Sequence, residues 1–484
     1  MARIVDHSNR TGSRVISHRP DSLITRPHRD GLRRWAALFV PRCLVLLTAT
    51  SVVCASEQEL IIGNPRLSLL DAYQIARDSD PNIAIARYRV DGAVANRDVA
   101  KSKYFPQISL FGDWSQNKVN YQSTALTQLG SQFYSGERYG LQLRSPLINV
   151  RHYREYERQD ALVGQSEEEL AVAETELLAE VVEAYLSVLL AEETALQFES
   201  ELSALEQQLE EANALYSKSL LPVTQVLETQ TRTDSLRADV LNARGQEAIA
   251  RERLVQLVGE RNVELQPIAQ RVALLSSVGD VESAARLALE FDPATDAAEE
   301  AVVAARKLVD REKGSWVPEV DFVYNSQFSD VGFDNLTSPP RYMHSYSISM
   351  RYPLFEGGGG SARLRSAWAE FYSAQQQLEA AKRAASGRAR AAWVNLESAT
   401  ERVQATRQAV KTAETNLDAS RKAVQAGTAR VTDVLLALAQ NTRAQRDLNE
   451  ARFQRAMGWL ELELATGANP VALAPRFSSA LHGL

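Results

Sequence analysis

The sequence predicts a mainly α-helical chain with long antiparallel coiled-coil hairpins and a smaller β portion of four strands. Three observations lead to this fold class. The chain repeats itself, long stretches rich in Ala, Glu, Gln, Leu and Arg lack turn residues, and short segments alternate apolar with polar side chains. The 484 residues are 45% hydrophobic with a mean hydropathy of −0.27, which excludes a chain made mainly of membrane-spanning helices.

The first element is a predicted export signal over residues 1–55. Arg33 and Arg34 precede the apolar run CLVLLTATSVV, which is too short to cross a bilayer as a helix. Small residues then predict cleavage after Ala55, and an uncleaved anchor is the alternative. Both cysteines of the chain lie in this segment, so the exported part would carry no disulfide and no thiolate metal site.

The charge balance and the scarce histidines narrow the function classes. Without residues 1–55 the chain carries 45 basic and 58 acidic side chains, which argues against nucleic acid as a partner. Its remaining histidines have no metal-ligand spacing, and no nucleophile stands near a base in a recognisable motif. We therefore expect no metal, no cofactor and no enzymatic activity.

The next feature is a duplication. The phrases VTQVLETQ and VTDVLLALAQ start 208 residues apart, and this offset holds without a gap from position 185 to position 259 of the first copy. A repeat this long indicates a duplicated domain rather than a solenoid unit. We assign residues 56–266 to the first repeat, 267–467 to the second and 468–484 to a C-terminal tail.

Each repeat contains a Pro-bounded aromatic strand region followed by a long helical hairpin. The strand regions cover about 106–148 and 318–355, and the hairpins are predicted over 149–259 and 362–467. A helix of some 70 residues is roughly 100 Å long. No globular domain holds such a helix, so the hairpins require a coiled-coil or tubular arrangement that buries their Ala, Leu and Val stripes.

The strand regions alternate with period two, as in YSISMRYPLF. Residues 104–148 and 316–355 hold 17 of the 34 aromatic residues of the chain. Aromatic residues on alternating strands suit the interfacial girdle of an outer-membrane barrel, and a β-sandwich core is the alternative. Four strands per chain cannot close a barrel alone. Two chains would give about eight strands with a filled lumen, and three would give about twelve with an open pore, which we favour for a tubular protein.

With these elements in place, the sequence resembles the TolC family of outer-membrane channel-tunnels. The phrases TDVLLALAQ and TQVLETQ, the junction SMRYPLFEGG and the repeat ends LVG and ATG carry the resemblance over about residues 67–467. The family implies a homotrimer with a 12-stranded barrel in outer-membrane lipid and an α-helical tunnel in the periplasm. It also implies export of proteins by type I secretion, of small toxic molecules, or of both. The implied partners are a periplasmic adaptor and an inner-membrane ABC or other transporter.

The resemblance also implies functional residues at the hairpin tips. Asp433 matches the first of two aspartates that form a negative ring at the periplasmic entrance, and Leu436 stands at the second position. Glu228 of the first copy would restore the charge, whereas an ordinary helix-start acid is the other interpretation of Asp433. The tip turns that adaptors contact correspond to Lys218, Ser219, Leu220, Ala426, Gly427 and Thr428.

A polar network holds the family's entrance closed, and this chain departs from it. Arg452 and Thr224 match two members, and Arg430 would replace a missing arginine one position away. The remaining positions of the network hold Val424, Ala429 and Gln225.

Two other functions are compatible with long hairpins: a periplasmic coiled-coil adaptor and a structural protein of the cell envelope. An adaptor usually inserts one hairpin into β domains, whereas this chain has two in tandem. The aromatic strand regions argue against a purely structural coiled coil.

Overall fold

The structure is a computed structural model that describes residues 66–119, 132–259, 264–267, 278–331 and 340–482. The predicted signal segment lies outside these residues. The helices in this part of the chain are α1 (Leu69–Ser79), α2 (Pro81–Ser102), α3 (Val150–Ser217), α4 (Val223–Val258), α5 (Val281–Phe291), α6 (Pro293–Lys313), α7 (Gly359–Gln425), α8 (Val431–Ala465) and α9 (Pro470–His482). The strands are β1 (Gln107–Val119), β2 (Gln132–Ile148), β3 (Glu319–Val331) and β4 (Arg341–Arg351). The mainly helical fold with four strands is thus confirmed.

Both copies break their first helical region with the same device. Asp80 caps α2 by accepting hydrogen bonds from the backbone N–H groups of Asn82 and Ile83, and a proline occupies the first position of that helix. Asp292, which is 212 residues further on, caps α6 in the same way through the N–H of Thr295, again before a proline. A capping carboxylate followed by proline fixes a helix start, which explains why both regions form two helices.

The long helices form two antiparallel hairpins, α3 with α4 and α7 with α8. The helix α3 has 68 residues and α7 has 67, so each is roughly 100 Å long. The sequence predicts that the second hairpin begins at residue 362, whereas α7 starts at Gly359, directly after Gly358 with its positive φ of 86°. Within the described ranges, no helix is both long and apolar enough to cross a membrane.

The helices lie side by side as a layer with two open sides. Near the strands, α3 and α6 pack together between α2 and α7. Towards the hairpin tips, α3 and α8 pack together between α4 and α7. The layer is therefore bordered on one side by α7, which contacts α5, α6 and α8, and on the other side by α2 and α4.

The four strands form one antiparallel sheet in the order β1-β2-β3-β4. Its apolar face is uncovered in the single chain, because Leu110, Trp114, Tyr346 and Ile348 are each at least 70% exposed. A β-sandwich would bury such side chains against a second sheet. The sandwich interpretation is therefore wrong for this chain, and β1 and β4 remain as free edges.

The main core lies midway along the hairpins and includes the C-terminal segment. Tyr185 on α3 is fully buried, and its hydroxyl donates to the backbone carbonyl of Leu67 at 2.9 Å, where a short parallel bridge joins the start of the described chain to Leu265. The segment designated the C-terminal tail forms α9, and the ring of its Phe477 stacks on Trp459 at 5.2 Å. The tail is thus an ordered part of the core.

Candidate functional site

The two hairpin tips have the same backbone geometry. In the first tip, the N–H of Leu220 donates to the carbonyl of Leu215 at 2.9 Å, and the N–H of Ser219 donates to that of Tyr216 at 2.8 Å. This pair of bonds is the Schellman motif, which ends a helix with one residue in the left-handed region. The second tip repeats both bonds at 2.9 and 3.0 Å over residues 423–428.

The left-handed position differs chemically between the tips. Gly427 occupies it in the second tip with a φ of 74°, whereas Ser219 occupies it in the first with a φ of 59°. Among the described residues, Ser219 is the only residue other than glycine with a positive φ. Side chains with a Cβ are disfavoured there, so the first turn is strained relative to the second. All six predicted tip residues are exposed.

The two predicted entrance acids are exposed at the starts of their helices. The carboxylate of Asp433 accepts a hydrogen bond from the backbone N–H of Arg430 at 2.9 Å. This bond caps α8, so the structure supports a helix-start role for Asp433 whatever else it does. Glu228 lies on α4 and is exposed, without an ion pair among the residues described.

The structure does not bring the predicted gate residues together within one chain. Thr224 and Arg430 are exposed at the tips, at the beginnings of α4 and α8. Arg452 lies 22 residues beyond Arg430 on the same helix, which corresponds to roughly 33 Å along its axis. Its Nη1 donates to Asn449 Oδ1 at 3.4 Å, a weak contact within α8. A link from Arg452 would therefore form well above the tips.

The hairpins differ in how their two helices are joined, which the sequence reasoning missed. Every arginine of α4 forms an ion pair with a glutamate of α3 at 3.5 Å or less: Arg232 with Glu201, Arg237 with Glu206, Arg244 with Glu199, Arg251 with Glu192 and Arg253 with Glu183. The ion pairs of α7 differ from these, because they join it to α5, to α6 or to the segment just before α7. The sequence does contain a feature that could have indicated these ion pairs of hairpin one: residues 159–217 contain 15 acids and no basic residue.

The second hairpin is instead held by small apolar contacts. Val403 on α7 packs with Leu448 and Ala451 on α8 in one buried cluster. Nearer the tip, Leu417 packs with residues 434 and 437 in another. Hairpin one thus combines apolar packing with cross-helix ion pairs, whereas hairpin two combines apolar packing with a hydrogen bond from Arg402 Nη1 to Gln454 Oε1 at 3.0 Å.

The sheet forms a wall with chemically distinct faces. On the apolar face the ring of Tyr139 stacks on Phe328 at 4.8 Å, and Tyr324 stacks on Tyr346 at 4.7 Å. The strand register places the alternate residues on the opposite face, which is polar. There, ion pairs join neighbouring strands: Arg138 with Asp113 and Arg144 with Asp321. One apolar and one polar face is the pattern of a transmembrane barrel wall.

Glycine is required at one point of this wall. A Cβ added at Gly140 in β2 would lie 2.4 Å from the carbonyl oxygen of Ser326 in β3. No side chain fits that space, so Gly140 allows the two strands to approach closely.

The described residues contain no group of three or more His, Cys, Asp or Glu side chains that could hold a metal ion. His152, one of the few histidines outside the signal segment, has its pKa lowered by burial and by the charge of Lys103. We assign no catalytic or metal-binding function to these residues.

The fold of this chain is thus two tandem helical hairpins joined to one four-stranded sheet whose outer strands have free edges. The chain belongs to the outer membrane efflux protein family, whose model matches it at residues 72–260 and again at 284–468.

Individual relatives agree with this assignment. The chain is 22% identical to the outer membrane protein TolC of Escherichia coli over 417 residues, covering 83% of this chain and 82% of that protein. It is 24% identical to the alkaline protease secretion protein AprF of Pseudomonas aeruginosa over 410 residues, covering 83% of this chain and 84% of the relative. The fold is similar to that of the CmeC outer membrane channel of Campylobacter jejuni, with a TM-score of 0.72, 14% identity and coverage of 85% of this chain and 89% of CmeC.

Proposed function

We propose that this chain is the subunit of a trimeric outer-membrane channel-tunnel that exports substrates from periplasmic transporter–adaptor complexes to the exterior. The observation that carries the proposal is the incompleteness of the single chain. Its sheet has two free edges and an uncovered apolar face, and its helical layer has two open sides. Free strand edges are not tolerated in lipid, so copies of the chain must complete the sheet as a closed barrel.

Ring closure pairs β4 of one copy with β1 of the next, and it packs α7 of one copy against α2 and α4 of the next. Each copy contributes β4 to one junction and β1 to the other, and likewise α7 to one side and α2 with α4 to the other. Three copies give about twelve strands, which leave an open pore, whereas two copies give about eight and a lumen filled by side chains. The same rotation closes the helices into a tunnel below the barrel.

The aromatic face of the sheet is then the lipid-facing surface, and the polar face lines the pore. Stacked aromatic pairs with exposed Leu and Ile suit the hydrocarbon region and its interfaces. The ion pairs Arg138–Asp113 and Arg144–Asp321 suit a water-filled lumen. The barrel thus lies in the outer membrane, and the hairpins extend into the periplasm.

The cargo and the partners follow from the relatives. AprF is named as an alkaline protease secretion protein and CmeC as an outer membrane channel. Export of proteins by type I secretion, of small toxic molecules, or of both therefore fits this chain. The partners are a periplasmic adaptor, which contacts the exposed tip turns, and an inner-membrane ABC or other transporter.

We assign the tunnel entrance to the tips of the hairpins. In the trimer, three copies of Asp433 and three of Glu228 form a negative ring, while the backbone bond of Asp433 fixes its carboxylate at the start of α8. Thr224 and Arg430 lie at this level and Arg452 above it, so closure involves two separate levels of contact. The repeats over residues 56–266 and 267–467 each supply one hairpin.

The test is reconstitution of the purified protein. We expect a detergent-solubilised particle with the mass of three chains, after correction for bound detergent, and stepwise ion conductance in planar bilayers. Gly140→Val, which blocks the close approach of β2 to β3, is the matched control that should fail to conduct. A monomeric particle, or a trimer that never conducts, would refute the channel.

A further inference from the structure

Arg244 of hairpin one has charged neighbours that differ between the two copies of the repeat. Arg244 on α4 donates from Nε to Glu199 on α3 at 2.7 Å and from Nη1 to Glu247 at 3.2 Å. Arg244 is thus held between two carboxylates, one on each helix of the hairpin. Arg244 thus forms an ion pair with each of the two glutamates.

The matching positions of hairpin two are all arginines. The offset of 208 residues turns Arg244 into Arg452, Glu199 into Arg407 and Glu247 into Arg455. Both carboxylate partners are therefore reversed in charge, although no insertion or deletion separates the copies over this stretch.

Because Glu199 of α3 meets Arg244 of α4 across hairpin one, the offset of 208 residues places Arg407 of α7 opposite Arg452 of α8. Burial, followed by the positive charges of Arg407 and Arg452, lowers the pKa of Arg455. The buried contact of Val403 with Leu448 and the hydrogen bond from Arg402 Nη1 to Gln454 Oε1 at 3.0 Å fix the register of α7 and α8 in this stretch. The cluster is thus an arrangement of like charges on a packed framework rather than a set of independent surface residues.

The carboxylates of the described chain do not neutralise two of these charges. Arg407 is exposed and forms no ion pair with any described residue, and Arg452 contacts only the amide oxygen of Asn449. The nearest acid on α8, Glu450, is two residues from Arg452 and so lies on the opposite face of the helix, where its Oε1 accepts from Gln454.

We propose that Arg407 and Arg452, beside Arg455, form a binding site for a doubly charged oxyanion of the phosphate or sulfate class between α7 and α8. Guanidinium groups bind tetrahedral oxyanions through paired, charge-assisted hydrogen bonds. One dianion supplies the charge that Glu199 and Glu247 supply in hairpin one. Its occupancy joins α7 to α8 at Arg407 and Arg452, neither of which forms an ion pair with a described residue.

The experiment uses the purified full-length protein in detergent and inorganic phosphate as the probe. Phosphate is titrated against sodium chloride at constant ionic strength, and binding is followed by isothermal calorimetry and by the broadening of the phosphorus NMR signal. We expect saturable binding to the wild type, whereas chloride at the same ionic strength should give none.

Two variants separate this site from general attraction. Arg407→Glu recreates the acid of hairpin one opposite Arg452, so it should fold and should lose phosphate affinity by at least about tenfold. Arg244→Gln, the matched change in hairpin one, should bind phosphate as the wild type does. Phosphate binding that persists in Arg407→Glu, or that falls equally in Arg244→Gln, would overturn the site.

A third arm tests for a carboxylate-bearing ligand in place of phosphate. Short poly-glutamate is added to the wild type in the absence of phosphate. Binding of the peptide together with failure of phosphate to bind would refute the oxyanion site. Displacement of bound phosphate by sulfate, with no effect of the peptide, would support it.

Discussion

The tip turn of hairpin one offers a direct test of the backbone argument. Ser219 holds a φ of 59° in a Schellman motif whose counterpart in hairpin two uses Gly427. The left-handed conformation costs a residue with a Cβ roughly 1–2 kcal/mol, and glycine avoids this cost. Glycine also gains freedom in the opened state, which offsets part of the difference. Ser219→Gly should therefore stabilise the closed turn by about 0.5–1 kcal/mol.

The measurement is hydrogen exchange of the amide of Leu220, whose N–H closes the turn by donating to Leu215 at 2.9 Å. A gain of about 0.5–1 kcal/mol slows exchange through local opening roughly two- to fivefold. Local exchange suits this protein because unfolding of a membrane oligomer is not a reversible two-state process.

The matched control is Gly427→Ser, which places the same strain in the second turn and should speed exchange of the Thr428 amide by a similar factor. Gly427→Ser meets no steric obstacle, because nothing lies within 4 Å of a Cβ placed on Gly427. Unchanged or faster exchange in Ser219→Gly would show that backbone strain does not govern the first tip.

Three further predictions concern the wall, the entrance and the junction between them. Gly140→Val should prevent pairing of β2 with β3 at a cost of at least about 1–3 kcal/mol, measured as loss of the folded oligomer on native gels, because its Cβ meets the carbonyl of Ser326 at 2.4 Å. Asp433→Asn should weaken the block of bilayer conductance by trivalent cations. If this variant and its combination with Glu228→Gln were both blocked as strongly as the wild type, these acids would lie outside the pore. Burial alone would raise the pKa of Glu155, but hydrogen bonds from an amide and a guanidinium outweigh it and hold that pKa below 4.5. The contribution of Glu155 to stability is therefore present above pH 4.5 and is lost as the pH falls through its lower folded-state pKa. Near-ultraviolet circular dichroism should show this acid dependence in the wild type but not in Glu155→Gln.

The sequence by itself determined the repeating architecture. The offset of 208 residues, the strand alternation and the long stretches without turn residues predicted two hairpins and four strands, and the structure confirms these elements. This succeeded because helix and strand periodicity are local properties, and because Asp80 and Asp292 mark helix starts through bonds to residues two or three positions away. The predicted tip turns at Ser219 and Gly427 are equally local, since a Schellman motif closes within six residues.

Tertiary structure alone decided which side chains meet. The sequence suggested that Arg452 belongs with Thr224 and Arg430, but the rigid rise of α8 separates it from the tip by roughly 33 Å. The sequence contained the acids of α3 and the arginines of α4 without showing that they pair across one hairpin. Such contacts depend on the register between helices that are distant in sequence, and register is fixed by packing of buried Ala, Val and Leu rather than by the charged residues themselves.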